Sequence, residues 1–508
     1  MTLGERGRAA PAFFPLFDGL RAIAALLVVV VHAAFISGFT THQGMWGALT
    51  ARGEIGVSVF FLISGFLLYR PWAAAHLRDS AGPKTQEFFV RRALRIVPLY
   101  WVALTVFFLL DRFAGVQATG PKGIADLPVY FLFGQVYSNE HVLHGLTPAW
   151  TLCIEVTFYL LLPLYAAALA RGRRNRTPTQ QLRREFVGLA LVVVIALSWR
   201  SVTLLTAGSM SNVVRAWLPS YADQFALGML LAVASVWFRQ TSREPALASR
   251  RFFGGGAWLL AGGCFLLVSS SLVGLPRVPV YVPTLAEGLS EHVLYGAFAF
   301  FLLLPAVFGP VRSGWVRRLL ATPILAFLGL ISYGIYLWHR QVLQLLWDNP
   351  ATGWHLTGWP LFRGPFGPMF AIALAGTVAV STVTYYLVER PAISWSHGWV
   401  QRRRERVAGL AGLGSLQEGR LQEGRLQEGP AGSDSSSPDS SGPEGLGEPA
   451  GRALAWPAWI PRASARVRPL VAARFWWLVT GVSALALGCR LAYVFLVARD
   501  VPLSGDGV

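Results

Sequence analysis

The chain has 508 residues, of which 54% are hydrophobic and 14% are charged, and its formal net charge is +18. This composition excludes an ordinary soluble protein and is typical of a protein that crosses a membrane many times. The positive charge does not indicate nucleic-acid binding, because the basic residues are concentrated in short loops between apolar runs. The three cysteines lie in apolar runs without metal-ligand or disulfide spacing, so we expect no metal site.

Apolar runs long enough to form membrane-spanning helices recur over the first 400 residues. A helix needs about 20 residues to cross a hydrocarbon core of roughly 30 Å. We predict ten spans, at 17–38, 55–73, 94–111, 149–170, 186–206, 218–237, 254–273, 291–310, 321–345 and 367–388. The expected fold is therefore all-α, with a ten-helix polytopic membrane domain over residues 13–395.

The distribution of basic residues predicts the orientation of these spans. Arginines and lysines are frequent in the loops after the even-numbered spans and at both flanks of the block, whereas loops such as 39–54, 112–148 and 274–290 hold at most two each. Basic loops usually face the cytoplasm. We therefore predict a multi-pass protein of the plasma (inner) membrane whose N-terminus is cytoplasmic.

The pattern changes after residue 400. Residues 407–465 are rich in Gly, Ser, Pro and Glu and include the repeat SLQEGRLQEGRLQEG, which predicts a disordered cytoplasmic linker. Residues 471–508 predict one additional transmembrane helix and a short outer stub. This tail resembles the start of a polyprenyl-phosphate-mannose-type glycosyltransferase, in which an acidic residue, here Asp506, is the catalytic base. A plain C-terminal anchor is the alternative, and we assign the tail no activity of its own.

Two ionisable residues lie inside the first apolar run, FDGLRAIAALLVVVVHA at 17–33: Arg21 and His32. Eleven residues of α-helix make about three turns and rise about 16 Å, so both side chains share one face. Ionisable groups at membrane depth are costly and usually point into the protein or a wet cavity. The alternative is that Arg21 extends to the headgroups and His32 bonds to a neighbouring helix.

A second motif, QEFFVRRALRIVPLYW at 86–101, places Arg92 and Arg95 three residues apart. This spacing puts both guanidinium groups on one helix face, which we expect at the cytoplasmic surface. Guanidinium groups bind phosphates well, so the pair suits a phosphate-bearing ligand. Anchoring by positive charge is the alternative.

Two further motifs place polar and aromatic groups in apolar runs. LTPAWTLCIEVTFYLLLPL at 146–164 contains Glu155. This carboxylate needs a partner, and we expect His32, at a similar depth, to be that partner. ISYGIYLWHRQV adds four aromatic or imidazole side chains, for which an interfacial belt is the alternative interpretation: Tyr333, Tyr336, Trp338 and His339.

Six motifs occur in a familiar order: FDGLRAIAALLVVVVH, GVSVFFLISGFLL, RRALRIVP, W-T-L-x-x-E, SYGIYLWH and YYLVERP. Together they resemble the acyltransferase-3 family of ten-helix membrane O-acyltransferases, which modify cell-surface glycans and, in some members, antibiotic sugars. The resemblance implies transfer of an acyl group from cytoplasmic acyl-CoA, acetyl-CoA in most members. The implied acceptor is a sugar hydroxyl of a carbohydrate or glycolipid, usually on the outer side.

The resemblance also implies roles for individual residues. The essential Arg-x10-His pair of the family maps onto Arg21 and His32. Its paired arginines, associated with the CoA phosphates, map onto Arg92 and Arg95, and the glutamate of its W-[ST]-L-x-x-E motif maps onto Glu155.

These roles suggest a mechanism. Imidazole can take a proton from a sugar hydroxyl near neutral pH. We predict direct transfer with His32 as general base, Glu155 orienting the imidazole, and Tyr333 or Ser64 donating to the oxyanion. A covalent acyl-His32 intermediate is the alternative.

Two other classes of function stay open at the level of sequence. Ten helices with buried charge also suit a transporter of a small or lipid-linked substrate, although the sequence has no repeated halves of the kind many transporters show. The second is an acyltransferase homologue that serves as a receptor or scaffold. Binding of acyl-CoA, and whether its acyl group is transferred, separates these hypotheses. In the enzyme hypothesis, loop 112–148 is the expected place for acceptor contacts.

Overall fold

The computed structural model describes residues 14–406 except 43, 79, 115–120, 122, 143, 207–210, 242–254, 279–280, 310–313 and 347–365. The predicted linker at 407–465 and tail at 471–508 lie outside the described residues. The chain divides into two compact units, Met1–Arg390 and Pro391–Val508. Within the second unit, residues 391–406 are described and are helical.

The described residues form helices and no strand. The principal helices are α1 (Leu16–Ile36), α2 (Ile55–Leu77), α3 (Thr85–Ala114), α4 (Trp150–Ala170), α5 (Pro178–Leu205), α6 (Ala222–Gln240), α7 (Ala257–Ser269), α8 (Leu285–Val307), α9 (Ser332–Leu346) and α10 (Phe366–Thr384). Shorter helices cover Phe39–His42, Gly44–Thr50, Leu127–Phe131, Ser211–Arg215, Trp315–Leu320 and Pro323–Leu330. A π-helical turn, Tyr385–Glu389, follows α10.

Within the described ranges, eight helical stretches are long and apolar enough to cross a membrane. The prediction of an all-α polytopic membrane protein is therefore confirmed. Two of the ten predicted spans, the seventh and the ninth, are not single long helices in the structure. α7 has only 13 residues and contains a Gly-Gly pair, and glycine is a poor helix former. The ninth span is divided at Ile331 into the helix Pro323–Leu330 and α9.

The division of the ninth span lies next to a close backbone contact with α1. A Cβ atom at Gly329 would lie 1.9 Å from the carbonyl oxygen of Asp18, and one at Gly19 would lie 2.3 Å from that of Leu320. These two glycines therefore allow the segment before α9 to approach α1 more closely than any side chain would permit. α1 also packs against α2, α9 and α10, which places it at the centre of the described bundle.

A second close helix contact fixes α2. A Cβ atom at Gly65 of α2 would lie 2.2 Å from the carbonyl oxygen of Phe225, and one at Gly228 of α6 would lie 2.1 Å from that of Leu62. α2 thus packs tightly against α6 on one side and α1 on the other. α2 also contacts α8 and α4, and the candidate site lies between α2 and α4.

Candidate active site

A cavity of about 100 Å³ lies among α1, α2, α3, α4 and α9. Its charged lining consists of Arg21, Arg92, Arg95 and Glu155. Three guanidinium groups and one carboxylate give this lining a formal charge of +2 (three minus one). Tyrosine and serine hydroxyls and apolar side chains complete the wall. A cationic cavity of this kind suits an anionic group.

Arg92 and Arg95 reach the cavity from the first turns of α3. This helix begins at Thr85 rather than at residue 94, so both arginines are part of the helix and share one face, as their spacing predicts. Both arginines line the cavity described above. The Nε atom of Arg92 is buried and has no hydrogen-bond partner among the described residues. The Nε–H group of Arg92 is therefore a buried hydrogen-bond donor that has no acceptor among these residues.

Glu155, in the second turn of α4, is held by two hydroxyl groups. The Ser64 hydroxyl donates to Oε1 over 3.1 Å, and the Tyr159 hydroxyl donates to Oε2 over 2.8 Å. Arg92 and Arg21 lie close enough to attract the carboxylate electrostatically. Glu155 is thus the anionic counterpart of the arginines within this cavity.

Arg21 is held by its own helix. Its NH1 group donates to Oδ1 of Asp18 over 3.1 Å, one turn earlier on α1. Arg95 lies near enough to repel Arg21. The two arginines therefore approach from different helices towards the same space, an arrangement that an anion between them would stabilise.

His32 is not among the described residues that line this cavity. Its Nδ1 lies 2.8 Å from the carbonyl oxygen of Val28, and its ring centroid lies 5.0 Å from that of His339. The expected pairing of His32 with Glu155 is therefore corrected by the structure, because the carboxylate has the partners described above. A similar depth along two helices does not bring two side chains together, since each must also point towards the other.

The aromatic residues of α9 do not form an interfacial belt. Tyr336 is 7%, Trp338 5% and His339 0% exposed, whereas belt residues face the lipid headgroups. The Tyr336 hydroxyl donates to the carbonyl oxygen of Pro148 over 3.2 Å and lies 2.9 Å from the Thr151 hydroxyl. These contacts fix α9 against the start of α4.

The two candidates for an oxyanion donor both have partners. The Tyr333 hydroxyl donates to the carbonyl oxygen of Ile96 over 2.9 Å, and the Ser64 hydroxyl donates to Glu155. Because a hydroxyl has a single hydrogen to donate, neither group is free to stabilise an oxyanion in this arrangement.

Glu389 is a candidate that the sequence analysis left without a role. It ends the π-helical turn Tyr385–Glu389 and is 1% exposed. Neither carboxylate oxygen has a hydrogen-bond partner among the described residues, and Arg95 attracts it electrostatically. π-helical turns are frequent at functional sites. In the sequence, the signal that points to Glu389 is its position directly after an apolar run.

Another polar network lies away from the cavity, at the start of α8. Arg52 pairs with Glu291 over 3.6 Å and donates to the carbonyl oxygen of Leu275 over 3.0 Å. The Tyr281 hydroxyl donates to Glu291 over 3.2 Å. Burial and the neighbouring carboxylate raise the pKa of Tyr281, so its hydroxyl stays protonated as a donor. The network ties two loops to α8.

Comparison with known proteins identifies the family. The acyltransferase-3 family model, described as an acyltransferase domain, matches residues 15–386. The exopolysaccharide production protein ExoZ of Rhizobium meliloti (strain 1021) is 29% identical over 71% of this chain and 94% of its own length. The peptidoglycan O-acetyltransferase OatA of Listeria monocytogenes is 24% identical, over 76% of this chain and 56% of its own length. The acyltransferase MdmB of Streptomyces mycarofaciens is 27% identical, over 74% and 88%.

No solved structure shows a significant match. The matched region includes every helix that lines the cavity as well as both His32 and His339. Membership of a family whose relatives are named acyltransferases favours the enzyme hypothesis over a transporter or a scaffold. This chain is therefore a multi-pass membrane acyltransferase, and it belongs to the acyltransferase-3 family.

Proposed function

We propose that this acyltransferase transfers an acetyl group from cytoplasmic acetyl-CoA to a hydroxyl group of a carbohydrate acceptor, in a cell-surface glycan or a glycolipid. The observation that carries the proposal is the cavity with three arginines and one glutamate. Coenzyme A carries several phosphate groups, and guanidinium groups are well suited to bind them. The carbohydrate acceptor is supported by relatives named for exopolysaccharide production and peptidoglycan O-acetylation.

The proposed arrangement follows α1 through the membrane. Arg21 lies in the second turn of α1, and His32 lies one turn before its end, a rise of about 16 Å. The pantetheine arm of coenzyme A separates its phosphates from its thioester by a comparable length. Phosphates held by Arg92 and Arg95 would thus place the thioester farther along α1, towards His32. The basic loops support a plasma-membrane protein with a cytoplasmic N-terminus, so that the donor enters from the cytoplasm.

His32 is proposed as the general base. A carbonyl oxygen only accepts, so the bond to Val28 places the ring hydrogen of His32 on Nδ1 and a lone pair on Nε2. Nε2 removes the proton of the acceptor hydroxyl while the hydroxyl oxygen bonds to the thioester carbon. The carbon–sulfur bond then breaks, and the leaving thiolate of coenzyme A takes up the proton from the imidazolium.

In this proposal Glu155 and Arg21 serve the donor rather than the base. Glu155, bonded to Ser64 and Tyr159, offsets the mutual repulsion of the arginines before the donor binds. Arg21 adds a third cation beside the arginines of α3. Their contribution is therefore to binding and alignment of the donor.

The test uses full-length protein in nanodiscs with radiolabelled acetyl-CoA. The double variant Arg92→Ala/Arg95→Ala should lose donor binding. The control Arg91→Ala removes one positive charge from the same helix. Arg91 lies 4.0 Å from Glu87 and outside the cavity lining, so this variant should bind the donor as wild type does. Absence of acetyl-CoA binding by folded wild-type protein would refute the proposed donor. Equal binding by the double variant and the control would refute the proposed site.

A further inference from the structure

His339 of α9 is buried with an unused acceptor nitrogen. The side chain is 0% exposed, and its Nδ1 lies 2.8 Å from the carbonyl oxygen of Tyr336 and 3.2 Å from that of Ile335. Because both partners only accept, Nδ1 carries the ring hydrogen and Nε2 carries a lone pair. Nε2 has no hydrogen-bond partner among the described residues. Buried acceptors are normally paired, so this nitrogen calls for an explanation.

The neighbouring ring has the same arrangement. His32 also donates from Nδ1 to a backbone carbonyl, that of Val28, which leaves a lone pair on its Nε2. The two ring centroids are 5.0 Å apart, and the ring planes meet at 59°. Neither Nε2 has a hydrogen to offer the other, so the rings cannot satisfy each other. Two hydrogen-bond donors from a ligand would satisfy both.

The histidine pair lies beside the wall of the cavity. Tyr336 lines the cavity and lies one helical turn before His339, with its ring centroid 6.0 Å from that of His339. α1 and α9 pack directly against each other. A group placed at the two imidazoles is therefore close to a donor that extends along the cavity.

We propose that His32 and His339 together bind an acceptor that carries two neighbouring hydroxyl groups. His32 removes the proton of the reacting hydroxyl, whose oxygen bonds to the thioester carbon as the carbon–sulfur bond breaks, and the thiolate of coenzyme A later takes up that proton. His339 accepts a hydrogen bond from the adjacent hydroxyl through its Nε2. The inference rests on the proposed function and narrows the acceptor to a sugar with adjacent hydroxyl groups.

Two variants of His339 separate contact with the acceptor from a structural role. Asparagine keeps a donor near the position of Nδ1 but has no group at the position of Nε2, whereas glutamine reaches the position of Nε2. If His339 has a purely structural role, the asparagine variant should keep more transfer activity. If its Nε2 contacts the acceptor, the glutamine variant should keep more. We expect His339→Asn, which loses one hydrogen bond to the acceptor, to lower transfer about 10-fold and His339→Gln to lower it less, with acetyl-CoA binding unchanged in both.

Transfer is measured in membrane vesicles that contain the full-length protein, with radiolabelled acetyl-CoA as donor and the glycans and glycolipids of the vesicles as acceptors. Propane-1,2-diol and propan-1-ol are then added as competing acceptors. The diol should suppress labelling of the vesicle acceptors at lower concentrations than the single alcohol. This preference should disappear in His339→Asn.

Each outcome decides a separate question. No transfer by wild-type protein that binds acetyl-CoA would overturn the proposed function, and the inference with it. Transfer by wild type with His339→Asn equal to or better than His339→Gln would overturn the inference alone, as would equal or absent competition by the two alcohols. Loss of transfer in both variants, even with donor binding kept, is an equal result and would overturn the inference as well. Loss of donor binding in both would overturn the inference.

Discussion

Replacing Glu155 by glutamine removes the only negative charge from the described cavity lining and preserves the size of the side chain. The formal charge of the lining then rises from +2 to +3. A hydrogen bond to a charged group typically contributes about 1.5–3 kcal/mol, more than one between neutral groups. Glu155→Gln replaces two such bonds by one neutral bond, so we expect it to lower the free energy of unfolding by about 1–3 kcal/mol.

Coenzyme A should restore more stability to this variant than to wild type, since its phosphates supply the missing negative charge. Ligand binding stabilises in proportion to RT ln(1 + [L]/Kd). The assay is thermal unfolding in nanodiscs with and without coenzyme A. The control is Glu287→Gln, because Glu287 is an exposed capping residue bonded to the Thr284 backbone over 2.8 Å, and glutamine serves the same cap. An equal shift by coenzyme A in Glu155→Gln and wild type would refute an anion site.

Three further variants test other parts of the molecule. His32→Ala should lower transfer about 10²–10⁴-fold with acetyl-CoA binding kept; unchanged turnover would contradict its role as base. Gly329→Ala should lower the free energy of unfolding by about 1–3 kcal/mol, because the new Cβ would overlap a backbone carbonyl of α1. The control Gly263→Ala places its Cβ in open space and should not lower it. Equal thermal stabilities of the two variants would argue against the close contact. Glu185→Gln should lower the free energy of unfolding by about 3–5 kcal/mol, since this buried carboxylate accepts hydrogen bonds from a tyrosine and a histidine of α2. An unfolding temperature equal to that of wild type would contradict this expectation.

Hydropathy and local signals predicted most of the helices. The fourth span, predicted at 149–170, is observed at Trp150–Ala170, because the apolar run ends at Arg171 and Gly172, where the backbone turns with a φ of 68°. The start of α3 was misplaced, because Arg91 and Arg92 make its first turns look like a loop. In the structure those turns are helical and bury Glu87 and Phe88.

The candidate site was predictable only where its residues share a helix. The spacing of Arg92 and Arg95 predicted a shared face, and the four-residue spacing of Glu155 and Tyr159 predicts the contact that the structure forms. The expected partner of Glu155 was His32, whereas its partner on the same helix is Tyr159. The contact between His32 and His339 depends on how α1 packs against α9, which no local pattern encodes.

The separation of Glu155 from His32 bears on the chemistry. In a serine–histidine–acid triad, a carboxylate stabilises the imidazolium that forms when the base takes its proton. Here a neutral backbone carbonyl, that of Val28, holds Nδ1 of His32, so the charged form gains less stabilisation. A thioester tolerates this weaker base, because thiols have pKa values near 8.5 and thiolates leave readily. The carboxylate of Glu155 is then available to balance the charge of the arginines that we propose bind the donor. The base, His32, and the anion site, which includes Arg21, lie at different positions along α1.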